Sequence, residues 1–193
     1  KLQKGQKVFI QAGSGGVGTL AIQLAKHLGA TVATTTSATN VALVKSLGAD
    51  IVVDYRTQDF EDVLRDYDVV LNSQDGKTLE KSLRVLARGG KLISISGPPD
   101  AEFGRAINAP AFVRLVMRLL SARIRRQARR SEVAYSFLFM KADGSQLREI
   151  TRLVDAGVIR PVVDRVFPFE STNEAMAYVD AGRAKGKVVV KIK

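Results

Sequence analysis

Residues 8–29 read VFIQAGSGGVGTLAIQLAKHLG, and this stretch decides the fold. Val8 to Ala12 is a short run of strand formers. Gly13-Ser14-Gly15-Gly16-Val17-Gly18 then fits G-x-G-x-x-G. Behind it Val17, Leu20, Ala21, Leu24, Ala25 and Leu28 recur at helical spacing, and Gly29 can end the helix. Glycines between a strand and a helix predict a dinucleotide-binding turn. Gly13 is expected to permit the tight turn, Gly15 to let a pyrophosphate reach the backbone, and Gly18 to let helix and strand pack closely. Free N–H groups of the first helical turn, aided by the helix dipole, then face the phosphates.

The rest of the chain sustains that reading. Strand-like runs at 31–36, 51–55, 67–72 and 91–96 alternate with helical patterns at 39–47, near 57–64 and near 79–86. Such alternation predicts an α/β fold with a doubly wound parallel sheet, Rossmann-like, in strand order 3-2-1-4-5-6. The second half is less regular. Residues 100–110 read as loop, 111–130 as one long basic helix, 133–140 (VAYSFLFM) as an apolar strand and 146–156 as a helix. Residues 160–193 read as a small C-terminal α+β appendage, with 162–169 and 188–192 extended around a helix at 171–181. The expected division is therefore 1–159 for the nucleotide-binding domain and 160–193 for the C-terminal segment.

Composition narrows the chemistry. The 193 residues contain no cysteine and one histidine, which rules out a thiolate site and disfavours any metal site in this chain. His27 falls on the polar side of the first helix and reads as a solvated surface residue. No apolar run is long enough to span a membrane and no leader peptide is visible, so the chain reads as cytoplasmic. The net charge of +11 points to anionic ligands or surfaces.

In this fold an acid at the end of the second strand holds the ribose of NAD. Residues 34–40 here are TTTSATN, with no acid. A carboxylate 4 Å from a 2′-phosphate would cost about 1 kcal/mol per charge pair in water and about 4 kcal/mol at an effective dielectric of 20. Its absence favours NADP, with NAD as the alternative, and Ser37, Thr39 and Asn40 can supply neutral hydrogen bonds. The same gap weighs against an S-adenosylmethionine-dependent methyltransferase, which wants an acid at that place.

Four blocks in order, KLQKGQKVFIQAGSGGVG, SLGAD-IVVDY, LEKSLRVLARGGKLISI and GRAKGKVVVKI, resemble the quinone-oxidoreductase branch of the medium-chain, zinc-type alcohol dehydrogenase superfamily. The resemblance covers nearly the whole chain. It implies an NADPH-dependent oxidoreductase without zinc that reduces quinones or α,β-unsaturated carbonyls. By position it places Gly16 and Val17 at the pyrophosphate, and Ser37, Asn40 and Tyr55 near the adenosine ribose and 2′-phosphate. Asn72 and Ser73 are placed by the ribose, Ser96, Gly97 and the main chain near Leu138 and Phe139 by the nicotinamide, and Arg183 near a cofactor phosphate. Relatives often read Asp-x-x-Gly-Gly where this chain has Asn72-Ser73-Gln74-Asp75-Gly76, so Asp75 replaces a glycine. The resemblance also implies a catalytic domain preceding Lys1, with residues 160–193 returning to it, and a homodimer through strand 133–140. No catalytic residue is named by it in this chain.

Two other functions stay open. One is a non-catalytic NAD(P)-binding module. The other is an anionic-surface binder through 111–130, where Arg114, Arg118, Arg125 and Arg129 share one side of a helix and Val113, Val116, Met117, Leu120 and Ile124 another. No aromatic residue interleaves these arginines for base stacking, so nucleic acid is not expected. Membrane contact is also disfavoured, because the apolar stripe is expected to pack on the sheet.

Overall fold

The computed structural model describes residues 2–193. Its elements are β1 (Lys7–Ile10), α1 (Gly18–His27), β2 (Thr31–Thr36), α2 (Val41–Ser46), β3 (Ile51–Asp54), α3 (Phe60–Val63), β4 (Tyr67–Asn72), α4 (Gly76–Ser82) and β5 (Leu86–Ser94). They continue with α5 (Ala101–Ala106), α6 (Ala111–Leu120), α7 (Ala122–Arg130), β6 (Ala134–Phe137), α8 (Gly144–Asp155), β7 (Val163–Pro168), α9 (Thr172–Asp180) and β8 (Lys187–Lys191). Six parallel strands form one sheet in the order β3-β2-β1-β4-β5-β6, as the alternation predicted.

Strand alternation sends β1 side chains to both faces. Phe9 joins Val53, Phe60, Leu64, Val70, Leu79, Leu92 and Ile124 in one buried cluster. Val8 and Ile10 join Ile22, Ala25, Val32 and Val44 in the other. A sheet covered on both faces needs such runs of apolar residues, and its strands have them. Helix α1 meets the sheet through Gly18, Thr19, Ile22 and Ala25, whereas Val17, Leu24 and Leu28 stay exposed. The buried face is therefore rotated from the expected stripe: Ala25 is shared by both, and Gly18, Thr19 and Ile22 beside it take the place of Val17, Leu24 and Leu28.

Several other expectations are corrected. Residues 100–110 contain α5, capped by the Asp100 carboxylate on the Phe103 N–H at 2.8 Å. Residues 111–130 are two helices, divided at the buried Ser121, whose hydroxyl donates back to the Met117 carbonyl at 2.8 Å. Such back-bonding bends helices. Strand β6 keeps only four of the eight residues 133–140, and Leu138 to Met140 leave the sheet exposed. The C-terminal segment is a parallel βαβ unit, β7-α9-β8, rather than an α+β one. The last strand pairs with β7.

That unit is tied to the main body at two points. The Gln23 amide donates to the Arg160 carbonyl at 3.0 Å and accepts from the Arg160 N–H at 2.8 Å. The second point lies at the glycine turn.

Candidate functional site at the carboxyl ends of the strands

The turn between β1 and α1 is built by close approach. Ala12 takes the left-handed conformation, φ 51°, that the sequence assigned to glycine. Its N–H donates to Thr35 Oγ1 at 3.1 Å and the Gly13 N–H to the Thr35 carbonyl at 2.9 Å. Gly13 is required for a different reason: a Cβ there would overlap the buried Thr34 hydroxyl. A Cβ on Gly18 would overlap the Ala12 carbonyl, which confirms the close helix-to-strand packing. A Cβ on Gly15 would meet only the Ala12 carbonyl, at 3.2 Å. Among the described residues, the N–H groups of Gly16 and Val17 have no protein acceptor. The same holds for the Ser14 hydroxyl proton, since Ser14 Oγ accepts from Thr36 Oγ1 at 2.9 Å and Asn40 Nδ2 at 3.3 Å. The turn thus presents unused donors, as an anion site at a helix start does.

A cation joins them from the C-terminal unit. The Gly186 N–H donates to the Ser14 carbonyl at 2.8 Å. A Cβ on Gly16 would lie 3.1 Å from the Gly186 carbonyl and 3.1 Å from Lys187 Nζ. Sequence reasoning missed Lys187 and named Arg183 instead. Arg183 is exposed and makes no hydrogen bond or ion pair among the described residues; its neighbours Gly182 and Ala184 line the groove. Lys187 had no sequence signal, because only the docking of β8 brings it to the turn.

A groove of about 520 Å³ runs from this turn across the ends of β2, β3 and β4, lined by Ser14, Gly15, Thr36, Tyr55, Asp75 and Lys77 among others. At the end of β2 the expected residues do meet. Asn40 Nδ2 donates to Ser37 Oγ at 3.3 Å, and Ser37 and Thr39 share a 3.0 Å hydroxyl contact. Asn40 Oδ1 is buried without a partner. No acid belongs to this cluster. Tyr55 stands exposed beside it, with the Arg56 guanidinium 5.9 Å from its ring centroid. Arg56 lies beyond β3, beside Tyr55 but not lining the groove; Lys77, which sequence reasoning also missed, lines it. Asp75, unexplained in the sequence, caps α4: its carboxylate accepts the Thr78 N–H at 2.9 Å, and Thr78 holds its pKa below the ordinary value.

At the ends of β4 and β5 the picture differs. Asn72 is fully buried and bound within the protein. Its Nδ2 donates to Gln11 Oε1 at 2.7 Å, and its Oδ1 accepts from Ser94 Oγ at 2.7 Å, with Ser96 Oγ 3.2 Å away. Gln11 Nε2 donates to Ser82 Oγ at 2.6 Å, which donates to the Thr78 carbonyl at 2.8 Å. At the other end the Gly97 N–H donates to Ser94 Oγ at 2.8 Å. Asn72 therefore aligns strands and does not present its amide to the groove. The half-buried Ser73 hydroxyl reaches the Gln11 carbonyl at 3.5 Å. Ser96 is exposed and donates to the Gln74 carbonyl at 2.6 Å. A Cβ on Gly97 would lie 2.8 Å from both Ser94 Oγ and Tyr135 Oη. Tyr135 donates to the Pro98 carbonyl at 2.7 Å, and burial, with the charge of Asp100, pushes its phenol up. The Leu138 N–H donates to the Ser94 carbonyl at 2.8 Å. Phe139 is exposed and tilts against Phe103, ring centroids 5.7 Å apart, with Phe137 5.1 Å from Phe103. Phe103 lies on α5, the helix read as loop.

Comparison with known proteins places this arrangement. The sequence model of a family described as zinc-binding dehydrogenase matches residues 47–190. Zinc itself does not fit the donors of this chain: it has no cysteine, His27 is exposed, and no metal-holding cluster of His, Asp or Glu occurs among the described residues. The zebrafish (Danio rerio) mitochondrial NAD(P)H oxidoreductase RTN4IP1 is 37% identical over 192 residues, 97% of this chain and 49% of that protein. The chloroplastic NADPH-dependent alkenal/one oxidoreductase of Arabidopsis thaliana is 33% identical over 190 residues, 96% of this chain and 40% of that protein. The chain spans half or less of the length of these curated relatives. The solved quinone oxidoreductase of Coxiella burnetii superposes with a TM-score of 0.83 at 28% identity, over 100% of this chain and 54% of its own. With the family match over most of its length and the sheet order shared with that structure, the chain belongs to the zinc-binding dehydrogenase family.

Proposed function

We propose that this chain binds NADPH, and that the protein carrying it transfers hydride to a quinone or an α,β-unsaturated carbonyl. The observation that carries the reading is the set of unused donors at the turn, Gly16 N–H, Val17 N–H and the Ser14 hydroxyl, with Lys187 beside them. These groups suit a pyrophosphate. The acid-free cluster of Ser37, Thr39 and Asn40, with Tyr55 and Arg56 next to it, suits a phosphorylated ribose better than a bare one.

When bound, NADPH would supply the hydride; the chain's own residues position and shield it. The turn at Gly97, held by Ser94 and Tyr135, and the main chain at Leu138 would hold the nicotinamide end. The names of the relatives, an alkenal/one oxidoreductase and a quinone oxidoreductase, support an electron-poor acceptor. A second reading, an NAD(P)-binding module without turnover of its own, is favoured by Leu138, Phe139 and Met140, which leave that end open to water. Hydride transfer needs the acceptor held at about 3–3.5 Å in a site that excludes water.

Titration of NADPH fluorescence tests binding. Oxidation of NADPH followed at 340 nm, with quinones and enones, separates the two readings. Little turnover is expected from this chain alone. No turnover by a longer protein that carries it would sink the oxidoreductase reading and leave the module.

A further inference from the structure

Between Phe103 and Ser131 the chain has eight arginines and no acidic residue. Arg123 pairs with Glu80 at 3.0 Å; the other seven have no carboxylate within ion-pair distance among the described residues. Glu102 shares a recess with Arg105, Arg118 and Arg125 but reaches none of them, and Asp100 in the same recess already accepts the N–H groups of Phe103 and Phe137. Seven of the eight guanidinium groups therefore have no ion-pair partner among the described residues.

The apolar half of the same surface is equally unused. Helix α6 rests on α5 where Gly104 leaves room for Arg114 and Met117: a Cβ on Gly104 would be 3.0 Å from each side chain. That contact turns Phe112, Leu115, Val116 and Leu119 outward, at the i, i+3, i+4, i+7 spacing of one helix face. Phe112 is 70% exposed and Leu119 66%. Leu119 shares a recess of about 420 Å³ with Arg118, Arg125, Arg126, Arg129 and Arg130, and Leu115 another of about 330 Å³ with Arg105, Arg114 and Arg118. Apolar and cationic groups are thus contiguous on one rigid surface.

We infer that α6 and α7 form a docking surface for an anionic phospholipid bilayer. Its apolar face would enter the headgroup boundary while its arginines meet lipid phosphates, the pattern of helices that lie in a membrane interface. A second copy of the chain does not fit, because it would oppose two largely unpaired arginine clusters. Nucleic acid would use the arginines and could stack a base on Phe112, but it would leave Leu115, Val116 and Leu119 in water. The expectation against membrane contact rested on an apolar stripe packed on the sheet; Ile124 of that stripe, on α7, does pack there, but α6 rests on α5 instead.

The test is sedimentation of the chain with vesicles of phosphatidylcholine alone and of equal parts phosphatidylcholine and phosphatidylglycerol. Binding is expected only to the anionic vesicles and is expected to weaken in high salt. The pair Arg126→Gln and Arg130→Gln should weaken it about 25-fold, at about fivefold per arginine. The pair Phe112→Ser and Leu119→Ser, both at exposed positions, should weaken it at least about tenfold. The chain has no tryptophan, so Phe112→Trp gives a single reporter whose emission should shift to the blue on anionic vesicles only. Four results would overturn the inference: no binding, equal binding to neutral vesicles, binding untouched by the two serines, or self-association abolished by them. Displacement by RNA, with the serines without effect, would assign the arginines to nucleic acid instead. Binding by this chain but not by a longer protein carrying it would assign the face to an internal contact.

Discussion

The Gly186 N–H donates to the Ser14 carbonyl at 2.8 Å, so the first residues of the last strand close on the glycine turn. Gly186 itself is buried, with φ 79°, and a Cβ there would overlap the Val162 carbonyl. The C-terminal βαβ unit therefore closes on the donor-rich turn and delivers Lys187 to it.

Two cations are expected to act on different parts of the cofactor. Lys187→Gln removes a charge at the pyrophosphate turn and should weaken NADPH and NADH alike, about tenfold, as one charge-assisted hydrogen bond is lost. Arg56→Gln removes a charge at the ribose end and should weaken NADPH about tenfold with little effect on NADH. Thr39→Asp, at an exposed position, should act in the same selective sense by repulsion. Fluorescence titration of both nucleotides reads all three. Equal losses from Arg56→Gln would remove the structural basis for NADP preference.

The turn invites a paired substitution. Ala12→Gly should raise the melting temperature by a few degrees, since a left-handed alanine costs about 1 kcal/mol or more. Gly13→Ala should lower stability by about 1–3 kcal/mol, because Thr34 Oγ1 is buried and held by the Ile10 carbonyl at 2.6 Å. Thermal melts that moved the same way for both variants would contradict the division of roles between the two residues.

Most of this architecture was legible in the sequence, and the failures have physical causes. The strands β1 to β5 announce themselves as short runs of β-branched and apolar residues between turns; β2, TVATTT, does so by β-branching and not by apolarity. The break at Ser121 is invisible because helical periodicity runs through it; only the hydroxyl's bond back to Met117 marks it. Lys187 reaches the site through tertiary approach, which spacing does not encode. Asn72 and Asp75 were legible as positions but not as roles: one is sealed inside the sheet and the other caps a helix.

The C-terminal unit should carry a pH signature. The Asp164 carboxylate accepts the Tyr178 hydroxyl at 2.7 Å and the Lys185 N–H at 3.0 Å. Tyr178 foremost, then Lys185 and the Arg165 charge, hold its pKa below the ordinary 3.8 against some desolvation. A depressed carboxylate contributes its full stability above the unfolded value and loses it as pH falls through the folded one. Asp164→Asn should therefore melt about 2–4 °C lower at pH 7, for about 1 kcal/mol, with the difference beginning to shrink only as pH falls below about 4 and disappearing once pH is below the depressed folded value. A difference that persisted in acid would mean that packing, and not charge, is responsible.

Strand β6 is an edge of the six-stranded sheet, and its neighbour Leu138 is half exposed. An open apolar edge favours pairing with a second copy. Light scattering at tens of micromolar is expected to return twice the mass of the chain; a monomer there would argue against pairing through β6.

The buried series from Gly97 through Ser94, Asn72, Gln11 and Ser82 to the Thr78 carbonyl begins on a main-chain donor and ends on a main-chain acceptor. Every proton in it must point the same way, so the two amides have a single orientation each and cannot be turned without setting like poles against each other. An aspartate in place of Asn72 could not donate to Gln11 and would break the series at its centre. None of its members titrates. The ends of β1, β4 and β5 are thereby locked in a mutual alignment indifferent to acidity, and a cofactor laid across them would find the same bed at every pH at which the chain stays folded.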